Sequence, residues 1–169
     1  MNRIQTSRLT RVLVRGPGSL SGPTARWAVN ILAVAGAALM IWSAVVHFQL
    51  WNDGYRDISV IGPLFLVQGI GAIVIAALVV LFRRLVLLAA GAITLIATAV
   101  GLLLSVYVGL FGYTENLAVY NAKTSLVVEF TGAAVLLAAA GILATARRRG
   151  PARAAGRRHS SPALANDRM

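Results

Sequence analysis

Four apolar runs, each about as long as a bilayer crossing, dominate the hydropathy pattern. The first extends from Trp27 to Val46 and is broken only by Asn30 and Ser43. The second covers Pro63 to Phe82, the third Leu85 to about Leu110, and the fourth roughly Ser125 to Ala146. A hydrocarbon layer of about 30 Å takes about 20 helical residues to cross. Backbone polar groups in that layer must be satisfied within the segment, which favours the helix. The runs predict spans over about 27–47, 62–82, 85–110 and 123–146. The expected fold is all-α, a polytopic membrane protein built as an antiparallel four-transmembrane-helix bundle.

Polar and small residues inside these runs recur at helical spacing. Gly36, Met40, Ser43 and His47 share one face of the first span, and that face is the expected bundle interior. Gly69, Gly71 and Ala72 suggest a close-packing surface on the second span. Thr94, Thr98, Gly101, Ser105, Gly109 and Gly112 form a small, weakly polar stripe along the third. Asn121, Ser125, Glu129 and Gly132 line one face of the fourth. The third run is longer than a bilayer is thick, so tilt or protrusion at Phe111 to Tyr113 is expected.

Charge orients this arrangement. The chain has 169 residues, 58% hydrophobic and only 12% charged, about half the charge usual in a soluble domain. Of its 16 basic residues, all but Arg56 and Lys123 lie before the first span, between spans two and three, or after the fourth. Cytoplasmic segments carry the Lys/Arg excess, so both termini are expected in the cytoplasm, and an even span count agrees. Residues 1–24 read as a basic flexible arm broken by Gly16-Pro17-Gly18, 25–146 as the transmembrane domain, and 147–169 as a disordered basic tail. Arg8, Arg11 and Arg15 fall on one face of a short helix, so an interfacial helix is the alternative for the arm. The first apolar run is too late and too long for a signal peptide.

The formal charge of +11 raises nucleic acid as a partner. Topology explains it more economically, since no basic patch is interleaved with aromatics. Anionic lipid headgroups are the expected partners of the tails, at about 1 kcal/mol per basic residue near the surface. A membrane-protein partner or a second copy suits the small-residue faces. Cysteine is absent, which excludes disulfides, thiolate metal sites and cysteine catalysis within the chain. Arginine dominates the basic residues beside abundant Ala, Val and Gly, the signature of a GC-rich genome, and the expected location is a bacterial inner (plasma) membrane.

Candidate chemistry is sparse. Glu129 is the one carboxylate inside an apolar span, about 10 Å from its start if the helix opens near Ala122. A charge there costs on the order of 3 kcal/mol, which makes it a candidate proton or cation site. The alternative is a protonated or hydrogen-bonded packing residue. His47 is a titratable group, a ligand or an interfacial anchor, and Gln68 lies about 8 Å into the second span. Asp53 and Asp57 flank Arg56 in the connecting stretch and complete the set of ligand-binding candidates. A cation site of His47, Asp53, Asp57 and Glu129 has no supporting ligand spacing. Trp51, Tyr55, Phe65, Tyr107, Phe111, Tyr113 and Tyr120 read as an aromatic belt; the sharper alternative is a cap that docks a lipid, quinone or protein. His159 falls on the far side of the membrane from His47, so no pair of axial haem ligands exists. Metal and cofactor are not expected. Nucleophile-elbow, zinc-protease, Walker and dinucleotide motifs are all missing, which leans away from an enzyme and leaves no catalytic residue to name.

The stretch His47-x-x-Leu50-Trp51-x-x-Gly54-Tyr55-Arg56-x-Ile58-x-x-Ile61-Gly62-x-Leu64-Phe65, followed by Gln68, resembles a group of small actinobacterial four-span integral membrane proteins of unknown function. The resemblance covers about 27–146 and implies location and span count, with no activity or cofactor. Two functional readings follow from the residues. One is a non-enzymatic accessory or packing subunit that contacts lipids or membrane proteins. The other is a small transporter or ligand-binding protein with a polar site around Glu129.

Overall fold

A computed structural model describes residues 10, 13–14, 16–20, 22–118 and 120–158, with backbone alone at 120 and 146–158. Among the described residues the regular elements are all helices, and four of them are long and apolar enough to cross a membrane. They are α1 (Pro23–Asn52), α2 (Ile61–Phe82), α3 (Leu85–Tyr107) and α4 (Tyr120–Arg158), the crossing part of α4 being Asn121–Thr145. Arg8, Arg11 and Arg15, which suggested an interfacial helix, lie outside the described residues, as do 159–169 of the tail.

Each boundary has a local cause. α1 opens earlier than its apolar run because Pro23 sits at N1, where its fixed φ is already helical and its missing N–H has no partner to lose. α3 ends at Tyr107, short of the predicted 110, because Gly109 adopts φ +83 just past the C-cap and its N–H returns to the Leu104 carbonyl at 3.0 Å. Gly109 and Gly112 are therefore turn residues, and the stripe read along α3 stops at Ser105. Leu110 and Tyr113 then exchange backbone hydrogen bonds at 2.7 and 2.9 Å across Phe111 and Gly112, both at positive φ. That pair of left-handed residues gives a tight turn of the type I′ kind. α4 continues past 146 to Arg158, although Gly150 and Pro151 in this stretch are poor helix formers and only its Ala and Arg favour the helix.

α1 packs against both α2 and α4, and α4 packs in turn on α3. Leu136 of α4 is the central knob: a Cβ at Gly36 of α1 would lie 2.5 Å from it, and one at Gly91 of α3 would lie 2.9 Å away. The missing side chains at 36 and 91 thus make room for Leu136, the small-residue packing expected where helices meet in lipid. Met40, Leu88, Leu95 and Leu143 are fully buried around it. Gly71 faces open space and takes no part in close packing. Ile31, Val67, Leu81, Ile93 and Val127 stay exposed, so the helices are apolar on their outer faces as well, as membrane helices are.

Only Arg83 and Arg84 separate α2 from α3. The two helices touch about two turns from this connection, where a Cβ on Gly91 would lie 3.7 Å from Ile75. Beyond that level, toward the end that carries the α1–α2 and α3–α4 loops, space opens between them.

Candidate functional site

A cavity of about 270 Å³ occupies this space at the loop end. Its walls come from all four helices and both loops, and they are mainly apolar: Leu50, Ile61, Leu64, Leu102 and Leu110 supply much of the surface. The cavity reaches Gln68 on α2 and Ala97 on α3, about 10 and 15 Å along their helices from the loop end at 1.5 Å per residue. Leu64 and Ala97 are exposed on their outer sides, so the opening between α2 and α3 faces the surroundings of the bundle laterally.

The polar groups of the cavity fall into two sets. In the deeper set, Ser43, on the buried face of α1 that also carries Gly36, Met40 and His47, donates its hydroxyl to Glu129 Oε1 at 3.3 Å. Ser125, one turn before Glu129 on α4, donates to the same oxygen at 2.8 Å. Glu129 is fully buried, and its Oε2 has no hydrogen-bond partner. The Ser43 carbonyl lies 2.8 Å from His47 Nδ1; a carbonyl only accepts, so Nδ1 carries a proton and Nε2 is the nitrogen left for other contacts. Ser43 thus ties His47 to Glu129. Gln68 Nε2 is buried without a partner, a costly state for a donor.

His47 and Gln68 both line the cavity. Glu129 lies behind its wall and is joined to it through Ser125, which does line it. Asp53 and Asp57 do not belong to the site. Both are exposed in the α1–α2 loop, and Asp57 pairs with Arg56 at 3.8 Å at the surface. Their position follows from the turn at Gly54, which directs the Tyr55–Asp57 segment so that Tyr55 faces inward and the charged residues outward. No group of three or more His, Cys, Asp or Glu is placed to hold a metal among the described residues.

The second polar set forms the roof. Tyr55 donates its hydroxyl to Glu115 Oε2 at 2.6 Å, and the Asn116 N–H donates to Glu115 Oε1 at 2.9 Å. Glu115 is 8% exposed and lines the cavity. Burial, then the carboxylate that accepts its hydrogen, hold the Tyr55 phenol far above its ordinary value of 10.0. The Tyr55 ring stacks on Phe65 at 5.0 Å and meets the edge of Tyr113 at 5.7 Å, while Phe65 tilts against His47 at 5.1 Å. Part of the aromatic group read as a belt is therefore turned inward. Tyr107 and Phe111 keep the outward position, at 76% and 62% exposure.

Glu115 is the cavity-lining residue that the sequence does not single out. It sits in a loop, 60 positions from Tyr55, and no helical period relates the two. The available signal was that both loops lie at the same end of the bundle, so an acid in one and a phenol in the other are within reach. Gly62 completes the roof from below. A Cβ there would lie 2.6 Å from the Arg56 carbonyl oxygen and 2.9 Å from that of Tyr55, so only glycine lets the Tyr55–Asp57 turn rest on α2. No family model, no curated protein and no solved structure matches this chain.

Proposed function

We propose that this chain is a small multi-pass membrane protein that binds a ligand from the lipid phase in the cavity between α2 and α3. The observation that carries the reading is the unpartnered Nε2 of Gln68 in a largely apolar, laterally open cavity that His47 also lines. Such a site suits a molecule with an apolar body and a compact polar head. In this reading the four helices form an antiparallel bundle in a bacterial inner membrane, with both termini cytoplasmic and the cavity in the outer half. The distribution of Arg supports that orientation, and basic termini on the inner face suit anionic lipid heads. Membership in the small actinobacterial four-span group agrees with the spelling of residues 47–68.

Chemically, the site can bind and orient. His47 offers an acceptor at Nε2, Gln68 a donor, and Ser125 a link to the buried Glu129, a set that can hold and orient a polar head. The accessory-subunit reading draws on the small-residue packing, but Leu136 already fills the places of Gly36 and Gly91.

The test uses Gly101, which lines the cavity and has open space where its Cβ would be. Gly101→Phe is expected to fill the cavity without disturbing the bundle. Mass spectrometry of gently extracted protein should then show loss of co-purified lipid-phase molecules that the wild type retains. Equal retention by a folded Gly101→Phe variant refutes the reading.

A further inference from the structure

The charge balance of the cavity is one-sided. Both oxygens of Glu115 act as acceptors, one from the Tyr55 hydroxyl and one from the Asn116 N–H. A carboxylate only accepts, so this pattern suits the ionised form. The 2.6 Å Tyr55–Glu115 separation is also in the range of a charge-assisted O–H···O⁻ bond. An ionised group this buried is expensive unless a counter-charge accompanies it.

None of the side chains that line the cavity is Lys or Arg. Arg56, the basic residue next to Tyr55, is turned to the surface, where it pairs with Asp57. Lys123 is exposed and forms no part of the lining. A second buried acid, Glu129, stands behind Ser125 with one oxygen unpartnered. Tyr55, which bonds Glu115, packs with Phe65 and Tyr113, and all three rings line the cavity; ring faces attract cations. An anion meets a like charge at Glu115, whereas a cation finds a counter-ion there.

From this we infer that the cavity selects lipophilic cations, molecules with an apolar or aromatic body and a single positive head set against Glu115. The inference rests on the cavity being a ligand site and names the class of that ligand. Leu64, Leu102 and Leu110 take the body, the three rings flank the head, and the lateral opening admits the molecule from the lipid.

The experiment places the full chain in lipid nanodiscs of zwitterionic phosphatidylcholine and measures equilibrium binding of radiolabelled tetraphenylphosphonium. Tetraphenylborate, nearly the same shape with opposite charge, is measured in parallel, each against discs without protein. The expected result is saturable phosphonium binding with no protein-dependent borate binding. Glu115→Gln should weaken phosphonium binding at least tenfold, and Glu115→Asp, which keeps the charge, should keep the preference for the cation. Gly101→Phe should abolish the binding. If both probes bind alike and both are lost in Gly101→Phe, the cavity is a ligand site and the cation selectivity is wrong. A loss shared equally by Glu115→Gln and Glu115→Asp also overturns the inference, because it marks a packing role. Absence of phosphonium binding to the wild type overturns it as well, while retention of co-purified lipid judges the cavity separately.

Discussion

Gly62→Ala should unseat the roof of the cavity while leaving the four helices in place. The added methyl would stand 2.6 Å from the Arg56 carbonyl oxygen, 2.9 Å from its carbon and 2.9 Å from the Tyr55 carbonyl oxygen. These are backbone atoms of a short turn, and they must retreat by several tenths of an ångström to reach ordinary contact. Overpacking of this kind costs about 1–3 kcal/mol. The turn cannot retreat alone, because Tyr55 is held at 2.6 Å by Glu115 and stacked at 5.0 Å on Phe65. Losing the phenol–carboxylate bond would add about 1.5–3 kcal/mol if it broke outright, so the expected loss lies nearer the smaller figure when the turn shifts as a unit. Equilibrium unfolding in mixed micelles, read by far-UV circular dichroism, measures the change. Gly71→Ala is the matched control on the same helix, since a Cβ there meets nothing within 4 Å. Equal stability of the two variants, with Tyr55 still shielded from solvent in Gly62→Ala, would refute the reasoning.

Two further outcomes are expected. The folded chain holds the Tyr55 proton more tightly than the unfolded chain, with its phenol raised above the ordinary 10.0; its contribution is complete below that value and declines as pH rises beyond it. Stability plotted over about pH 10 to 11 should therefore fall more steeply for the wild type than for Tyr55→Phe, and coincident slopes would contradict the assignment. Phe111 holds φ +52 ahead of Gly112 at φ +79, a conformation that a bulky side chain adopts at a cost of about 1–2 kcal/mol. Phe111→Asn converts the turn to the favoured Asn-Gly pair and should raise the unfolding midpoint, whereas a fall would show that the exposed ring contributes more than the strain costs.

The sequence made the helices legible because span length and hydropathy are local properties. The buried face of α1 was equally readable: Gly36, Met40, Ser43 and His47 all point inward, as their 4-3-4 spacing requires. Spacing could not distinguish a helical glycine from a helix-ending one, so Gly109 and Gly112 were counted into a stripe that stops before them. His47 and Gln68 were found because a polar residue in an apolar run stands out. Asp53 and Asp57 stood out for the same reason and proved to be surface residues, since in a loop the turn geometry decides direction. Glu115 was hidden by the opposite effect: among polar loop residues, an acid gives no contrast until the fold brings Tyr55 over it.

The two-residue turn at Arg83–Arg84 gives the cavity a mechanical property. α2 has 22 residues, making it a rod about 33 Å long, and a swing of about 5° at its tethered end moves the far end by about 3 Å. The width of the cavity thus follows a small angle between two rods joined at one end, opposed by the packing of α2 on α1 through Gly69 and Phe48. Helix tilt in turn follows the thickness of the surrounding hydrocarbon. A thicker or thinner bilayer would therefore act on the bore of the cavity directly.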